Sequence, residues 1–401
     1  MSPTDTVRDP IPAPYDGQRP LRVAIVTESF LPQVNGVTNS VCRVADLLAA
    51  RGHQALILAP GHRGPTRYAG FPVVRTPSVP LPVYRDFALG LPARRTLTTA
   101  VRSFSPDLVH LASPALMGLA TVEAARRWAL PTVAVFQTDL AGFARRYGLP
   151  GHERLWPLLR RVHAAADRTL VPSSATMEAL SAHGFPRLSL WRRGVDVERF
   201  HPGHRDEALR RSLAPGGETV VGYVGRLAKD KRVDLLEHVL RLRGVKLVVV
   251  GDGPELPRLR RRLRGAVFTG RRTGDDLSRL YASMDVFVHT GADETFCQAV
   301  QEALAAGVPV VAPAAGGPLD LVRDGVNGLL YAPDSVRELR VALGRLVHNR
   351  DLRAALAGRA RGSVEHRTWE AVGDELLAHY RSVLAPSREL AAGRAPAFPA
   401  R

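Results

Sequence analysis

The sequence has little cysteine and, for so basic a chain, very little lysine. Cys42 and Cys297 are too few and too far apart for a disulfide framework or a cysteine-pair zinc site, which points to a reducing, cytoplasmic setting. No run of about 18 apolar residues occurs, so no spanning helix is expected. The opening MSPTDTVRDPIPAPYDGQRP lacks the apolar centre of a signal peptide. Lysine is confined to Lys229, Lys231 and Lys246, so the net charge of +17 is carried almost entirely by arginine.

Such a balance invites a nucleic-acid reading, because clustered cations release counterions from phosphates. Here the arginines are scattered as pairs, without a helix-turn-helix, zinc-finger or RNP-like pattern, and no nucleic-acid partner is expected. The first 200 residues hold 24 arginines against 14 acids, an excess that suits either a surface facing anionic lipid or an ordinary solvated one. YGLPGHERLWPLLRRVH (147–163) leaves the same choice, mixing Trp156 and leucines with Arg154, Arg160 and Arg161.

What the chain does have is alternation. RVAIVTESF (22–30) is an apolar, β-branched run that leads through LPQVNGV into TNSVCRVADLLAARGH, with apolar residues at helical spacing. QALILAP, DLVHLASP (107–114), PTVAVFQTD (131–139) and RTLVPSS (168–174) repeat the strand pattern with helices between several of them. After the polar, Pro/Gly-rich RGVDVERFHPGHRDEALRRSLAPGGE the pattern restarts with TVVGYVGRL, KLVVVGDG, AVFTG, DVFVHT and PVVAP. Strands alternating with helices specify parallel, doubly wound sheets, here two Rossmann-like domains with a cleft between them. The expected division is a loose tail (1–20), a first domain (21–198), a second domain (199–364), a helix crossing back (365–385) and a second loose tail (386–401). Ligands of such sheets bind beyond the carboxyl ends of the strands.

The richest stretch is GADETFCQAVQEALAAGVPVVAPAAGG (291–317). Thr295 with Gln298 has the form of a capping box, which predicts a helix of about three turns from Phe296, stopped by Gly307 and Pro309. The N–H groups of Phe296, Cys297 and Gln298 would then be free to hold a phosphate. Glu294 stands just before that anion site, and Glu302 lies two turns inward on the helix, where a carboxylate can accept two hydrogen bonds from a ribose diol. The plainer reading is a solvated helix acid and a cap partner. Gly251 and Gly253 form half of a dinucleotide fingerprint, which reads as a turn and not as a cofactor site.

ETFCQAVQE with ALAAGVPVVAPAAGGPLDLVRDGVNGLLY resembles the donor-site signature of retaining GT-B glycosyltransferases of family four, in which two glutamates bracket seven residues. The resemblance covers about 21–384. It includes GRLAKDK (225–231), whose Arg226 and Lys231 match the pair that contacts the donor diphosphate. RGVDVERFHP (193–202) matches the inter-domain linker, and PQVNGV (32–37) the first-strand loop, where Gly36 lets backbone approach the phosphates. PQVNGVTNSV, VHLASP, VFQTDLAGFARRYG and WRRGVD are most similar to actinobacterial GDP-mannose-dependent α-mannosyltransferases. The chain departs from many of these at Ala112 and Gln137, where they carry histidine.

The resemblance implies transfer of a hexose, mannose from GDP-mannose above other donors, to a lipid or glycan acceptor with retention. It implies no metal and no cofactor beyond the nucleotide-sugar substrate. Arg226, Lys231 and the helix N–H groups would stabilise the leaving diphosphate, Glu294 would hold the sugar, Glu302 the ribose, and Thr295, Phe296 and Cys297 would border them. Arg271 and Arg272 fall in the family's nucleobase loop and either meet the base or stay solvated. Asn35, His110, Gln137 and Asp139 are the polar candidates on the acceptor side. Asp139 either joins the chemistry or caps the next helix, and His110 either reaches the cleft or sits satisfied in the core. A phosphorylase or epimerase of the same fold would need a second phosphate site or added acid and base groups, and a non-catalytic basic binder would not need the phosphate grip.

Overall fold

The computed structural model describes residues 19–385 apart from 34, 82, 83, 149 and 150. The two tails fall outside the described residues, except for positions 19 and 20. The first half folds around β1 (Arg22–Thr27), β2 (Gln54–Pro60), β3 (Arg67–Tyr68), β4 (Phe71–Thr76), a hairpin of β5 (Ser78–Leu81) and β6 (Tyr84–Gly90), then β7 (Leu108–Ala112), β8 (Thr132–Val135), β9 (Arg168–Val171) and β10 (Leu188–Leu190). The second half supplies β11 (Thr219–Val224), β12 (Val245–Val250), β13 (Val267–Gly270), β14 (Val286–Val288), β15 (Val310–Pro313) and β16 (Gly328–Tyr331).

Nearly every central strand is an unbroken apolar run because both its faces are covered. β1, β7 and β8 are buried along almost their whole lengths, as a parallel sheet between helices requires. The first sheet has the order β10-β9-β8-β7-β1-β2-β4-β3 and the second β13-β12-β11-β14-β15-β16, with all pairs parallel except β3 on β4. In each sheet the winding reverses once, between β1 and β7 and between β11 and β14. These are the switch points where loops diverge and a crevice opens.

The terminal helix Trp369–Leu384 returns to the first sheet, where Val372, Leu376, Leu377 and Tyr380 join the core around Leu21, Val23 and Ile25. Trp191 at the head of the linker donates from Nε1 to the carbonyl of Val372 at 2.9 Å, so linker and returning helix are tied together. The halves also touch across the cleft. Thr295 Oγ1 donates to the carbonyl of Gln137 at 3.0 Å, Ser173 Oγ to that of Thr295 at 2.7 Å, and Arg146 pairs with Asp293. No helix among the described residues is long and apolar enough to cross a membrane.

Candidate active site

The two loops at the second sheet's switch point carry the charged groups. The loop after β11 places Arg226, Asp230 and Lys231, and the loop after β14 places His289, Glu294 and Cys297. Lys231 Nζ donates to Glu294 Oε1 at 2.7 Å and stands 3.6 Å from Asp230 Oδ2, while Arg226 donates to Asp230 Oδ1 at 2.9 Å. Burial alone would favour neutral Lys231, but the Glu294 and Asp230 carboxylates outweigh it and raise its affinity for a proton. Burial pushes the other way on Glu294, and Lys231 with His289 reverses it, holding the carboxyl well below its usual range. The site therefore keeps its charges in place before any substrate arrives.

Backbone packing fixes these loops. Gly251, at φ +145°, lies so close to the loop after β11 that a Cβ would stand 1.9 Å from the carbonyl oxygen of Gly225. The GDGP turn is thus a support for the Arg226 loop, with Leu227 N–H donating to the Asp252 carbonyl at 2.8 Å. Gly317 does the same for the other loop: its N–H donates to the Glu294 carbonyl at 2.7 Å, and a Cβ would stand 1.9 Å from the carbonyl oxygen of Phe296.

The capping box does not form. The helix spans Gln298–Ala305, beginning two residues later than expected and running just over two turns. Thr295 spends its hydroxyl on Gln137 across the cleft, the Gln298 amide donates to Gly194 in the linker at 3.1 Å, and Cys297 takes the left-handed conformation (φ 79°) at the N-cap. The unpaired N–H groups of the first turn accordingly start at Gln298 and not at Phe296. Phe296 and Cys297 are buried in the core of the second domain. Glu302 lies just over one turn into the helix and not two, because the helix begins at Gln298, and it accepts from the Tyr281 hydroxyl at 3.1 Å. Its burial raises the carboxyl to about 7 despite the hydrogen bonds from Tyr281 and Gln298.

The remaining candidates divide. Arg271 and Arg272 stand exposed on the loop after β13, facing solvent. Gly36 opens the helix Gly36–Ala50, and a Cβ there would meet nothing within 4 Å, so its backbone face is open. Asn35 is that helix's cap, accepting from Thr38 N–H at 3.0 Å and donating to Ser29 Oγ at 2.7 Å. Asp139 caps the helix Leu140–Arg146 by accepting from Gly142 N–H at 2.8 Å, on a partly exposed loop. Gln137 is buried in the seam, with its side-chain oxygen on Arg193.

His110 lies away from the cleft. It is fully buried in the middle of β7, its Nδ1 is 2.8 Å from the Tyr380 hydroxyl, and burial lowers its affinity for protons to a pKa of about 3. It is a neutral tie between sheet and returning helix, because a mid-strand side chain points into a covering layer and not out of the strand's end.

Two groups were not singled out in the sequence. His289 is 3% exposed at the end of β14, with Nε2 3.4 Å from Glu294 Oε1. Burial would discharge its ring, but Cys297 and Glu294 raise it to about 10. Glu28, after β1, places Oε1 on the N–H groups of Ala115 (2.8 Å) and Gly118 (3.1 Å), and its burial raises it to about 7. An acid inside a strand-end run was the only signal for Glu28. For His289 there was none beyond its place beside the glutamate motif.

Two doubly wound domains with a cation–carboxylate cluster at the second sheet's switch point have the arrangement of a nucleotide-sugar transferase of the GT-B type. The chain belongs to the glycosyltransferases of family 4: residues 34–199 match the family model Glycosyltransferase Family 4 and residues 204–363 the model Glycosyl transferases group 1. It is 52% identical over 370 residues to a GDP-mannose-dependent alpha-mannosyltransferase of Mycobacterium tuberculosis, covering 90% of this chain and 97% of that protein. A protein of the same description from Corynebacterium glutamicum is 45% identical over 93% of this chain and 91% of its own. Among solved structures, Anabaena HepE in complex with UDP and glucose shares the fold at a TM-score of 0.72, with 20% identity over 90% of this chain and 100% of that one.

Proposed function

We propose that this enzyme transfers mannose from GDP-mannose to a lipid or glycan acceptor with retention, giving an α-linkage, and that it does so without a resident metal. The carrying observation is the donor-side cluster, in which Lys231 holds Glu294 while Arg226 holds Asp230. Identity of 52% to a GDP-mannose-dependent relative supports the donor.

Loss of a sugar from a nucleoside diphosphate builds negative charge on the departing phosphate and positive charge at the anomeric carbon. Arg226, Lys231 and the first turn of the helix Gln298–Ala305 present fixed positive charge to the first. They would do the work that a divalent metal does elsewhere. Glu294 stays ionised beside Lys231 and, in this reading, holds sugar hydroxyls while its charge favours the developing cation. Glu302 accepts the ribose hydroxyls in exchange for Tyr281. Among the described residues the carboxylate beside Glu294 in this cluster is Asp230, which Arg226 engages, so the acceptor is read as attacking from the leaving-group side, with a phosphate oxygen taking its proton. The arginine excess of the first half supports docking of that half on an anionic membrane that presents a lipid acceptor.

The reading is tested by calorimetric titration with GDP, UDP, ADP, GDP-mannose and UDP-glucose, with and without EDTA. Selective binding of GDP and GDP-mannose, unchanged by EDTA, is the expected result. Preference for UDP would overturn the donor assignment, and binding abolished by EDTA would overturn the metal-free mechanism.

A further inference from the structure

The sequence offers no cysteine pair for a metal, yet the fold builds a mixed set of ligands from one short segment. A ring nitrogen of His289, a carboxylate oxygen of Glu294 and the sulfur of Cys297 lie within 4.8 Å of one another. We propose that these three residues form a binding site for a thiophilic divalent cation of the zinc class, and that its occupancy blocks the donor site.

His289 supplies the independent sign of a ligand. It is 3% exposed, its Nδ1 has no hydrogen-bond partner, and its Nε2 has no contact shorter than the ion pair with Glu294, so an ion that displaces the ring proton would give this buried ring a partner it lacks. Its Nε2 stands 3.4 Å from Glu294 Oε1, close enough to share an ion with it. The left-handed backbone of Cys297 halts the helix at Gln298 and leaves the thiol beside the same carboxylate. Zinc holds nitrogen, oxygen and sulfur at about 2.0 to 2.3 Å, which sets tetrahedral ligand atoms about 3.3 to 3.8 Å apart. Small side-chain rotations reach that spacing. Three protein ligands leave one position for water.

Occupancy and turnover exclude each other because Glu294 is common to both. The Oε1 atom that the ion needs is the one Lys231 Nζ holds at 2.7 Å. An ion there takes the carboxylate from Lys231 and from the sugar, so it inhibits and does not assist. This separates the site from a catalytic metal centre.

The test uses the full-length protein, stripped with EDTA and titrated with Co2+ and then Zn2+. One equivalent of Co2+ is expected to give a thiolate-to-cobalt charge-transfer absorption that Zn2+ abolishes. The band should survive Cys42→Ser, vanish in Cys297→Ser and weaken in His289→Gln, with the last variant losing at least tenfold in Zn2+ affinity. Saturating GDP-mannose should weaken Zn2+ binding at least tenfold. Absence of a thiolate band, or a band that Cys42→Ser removes and Cys297→Ser spares, would overturn the proposal. Cobalt absorption does not depend on transfer, so the proposed donor could be wrong and this site still be tested.

Discussion

At the switch point of the second sheet, the loops after β11 and β14 bring two cations, two carboxylates and a charged histidine into contact. At the switch point of the first sheet, the loops after β1 and β7 bring together one carboxylate, Glu28, and the N–H groups of Ala115 and Gly118. The topology is the same, and the chemistry is not. In the proposed mechanism the strand ends of the second sheet support side chains that meet developing charge. In the first they hold the polypeptide in shape, with Asn35 and Asp139 as helix caps and Glu28 closing a helix start. The donor side supplies catalysis in this account, and the acceptor side supplies position.

Breaking the charged side should have the largest effect. Arg226→Ala or Lys231→Ala is expected to lower kcat by about a hundredfold to a thousandfold. Steady-state kinetics with a circular-dichroism check of folding would show it, and near-normal turnover would remove the leaving-group argument.

A smaller effect is expected at Glu302. Its carboxyl holds a proton up to about pH 7, and only the ionised form can accept two ribose hydroxyls. GDP-mannose, whose phosphates do not titrate in this range, should therefore bind more tightly as pH rises through about 7. Glu302→Gln should flatten that profile and weaken binding about tenfold, roughly the loss of one charge-assisted hydrogen bond. A pH step that survives in the variant would assign the titration elsewhere.

Stability has the opposite pH sense. Folded Glu28 and Glu302 bind protons up to about 7, whereas the unfolded chain releases them near 4.5. The folded state then holds more protons between those values, and stability should fall as pH rises through that window. Replacing both by glutamine should reduce the slope of Tm against pH over that range.

The smallest effect on turnover is expected from His110→Phe. Loss of the Tyr380 partner should cost about 1 to 3 kcal/mol of stability in denaturant unfolding. Turnover should stay within about twofold, because the ring sits in the core and not in the cleft. A large fall in kcat with unchanged stability would return His110 to the acceptor side.

The central strands were legible because burial on both faces writes them as unbroken apolar runs. β4 was not, since Pro72 interrupts FPVVRT and only Val73 and Thr76 are fully buried. β16 was hidden because GLLY follows directly on the Gly-rich loop and carries no β-branched residue. In the site, Arg226, Lys231, Glu294 and Glu302 were singled out through the family resemblance, and the fold joins the first three in one cluster and sets Glu302 on Tyr281. The start of the helix was misread because Thr295 and Gln298 have the local pattern of a capping box, while their partners, Gln137 and Gly194, are more than 100 residues away. His289 was missed for the same reason: its importance lies in what the folded loop places beside it, and no spacing records that.

The most direct test of the asymmetry is GDP release from GDP-mannose in excess EDTA, with and without a glycolipid acceptor, by the wild-type enzyme and the Arg226→Ala/Lys231→Ala double variant. Undiminished, acceptor-stimulated release by the wild type and release below detection by a variant that still folds are the expected results. Equal rates in the two proteins, or a wild type silenced by EDTA, would contradict the proposed mechanism.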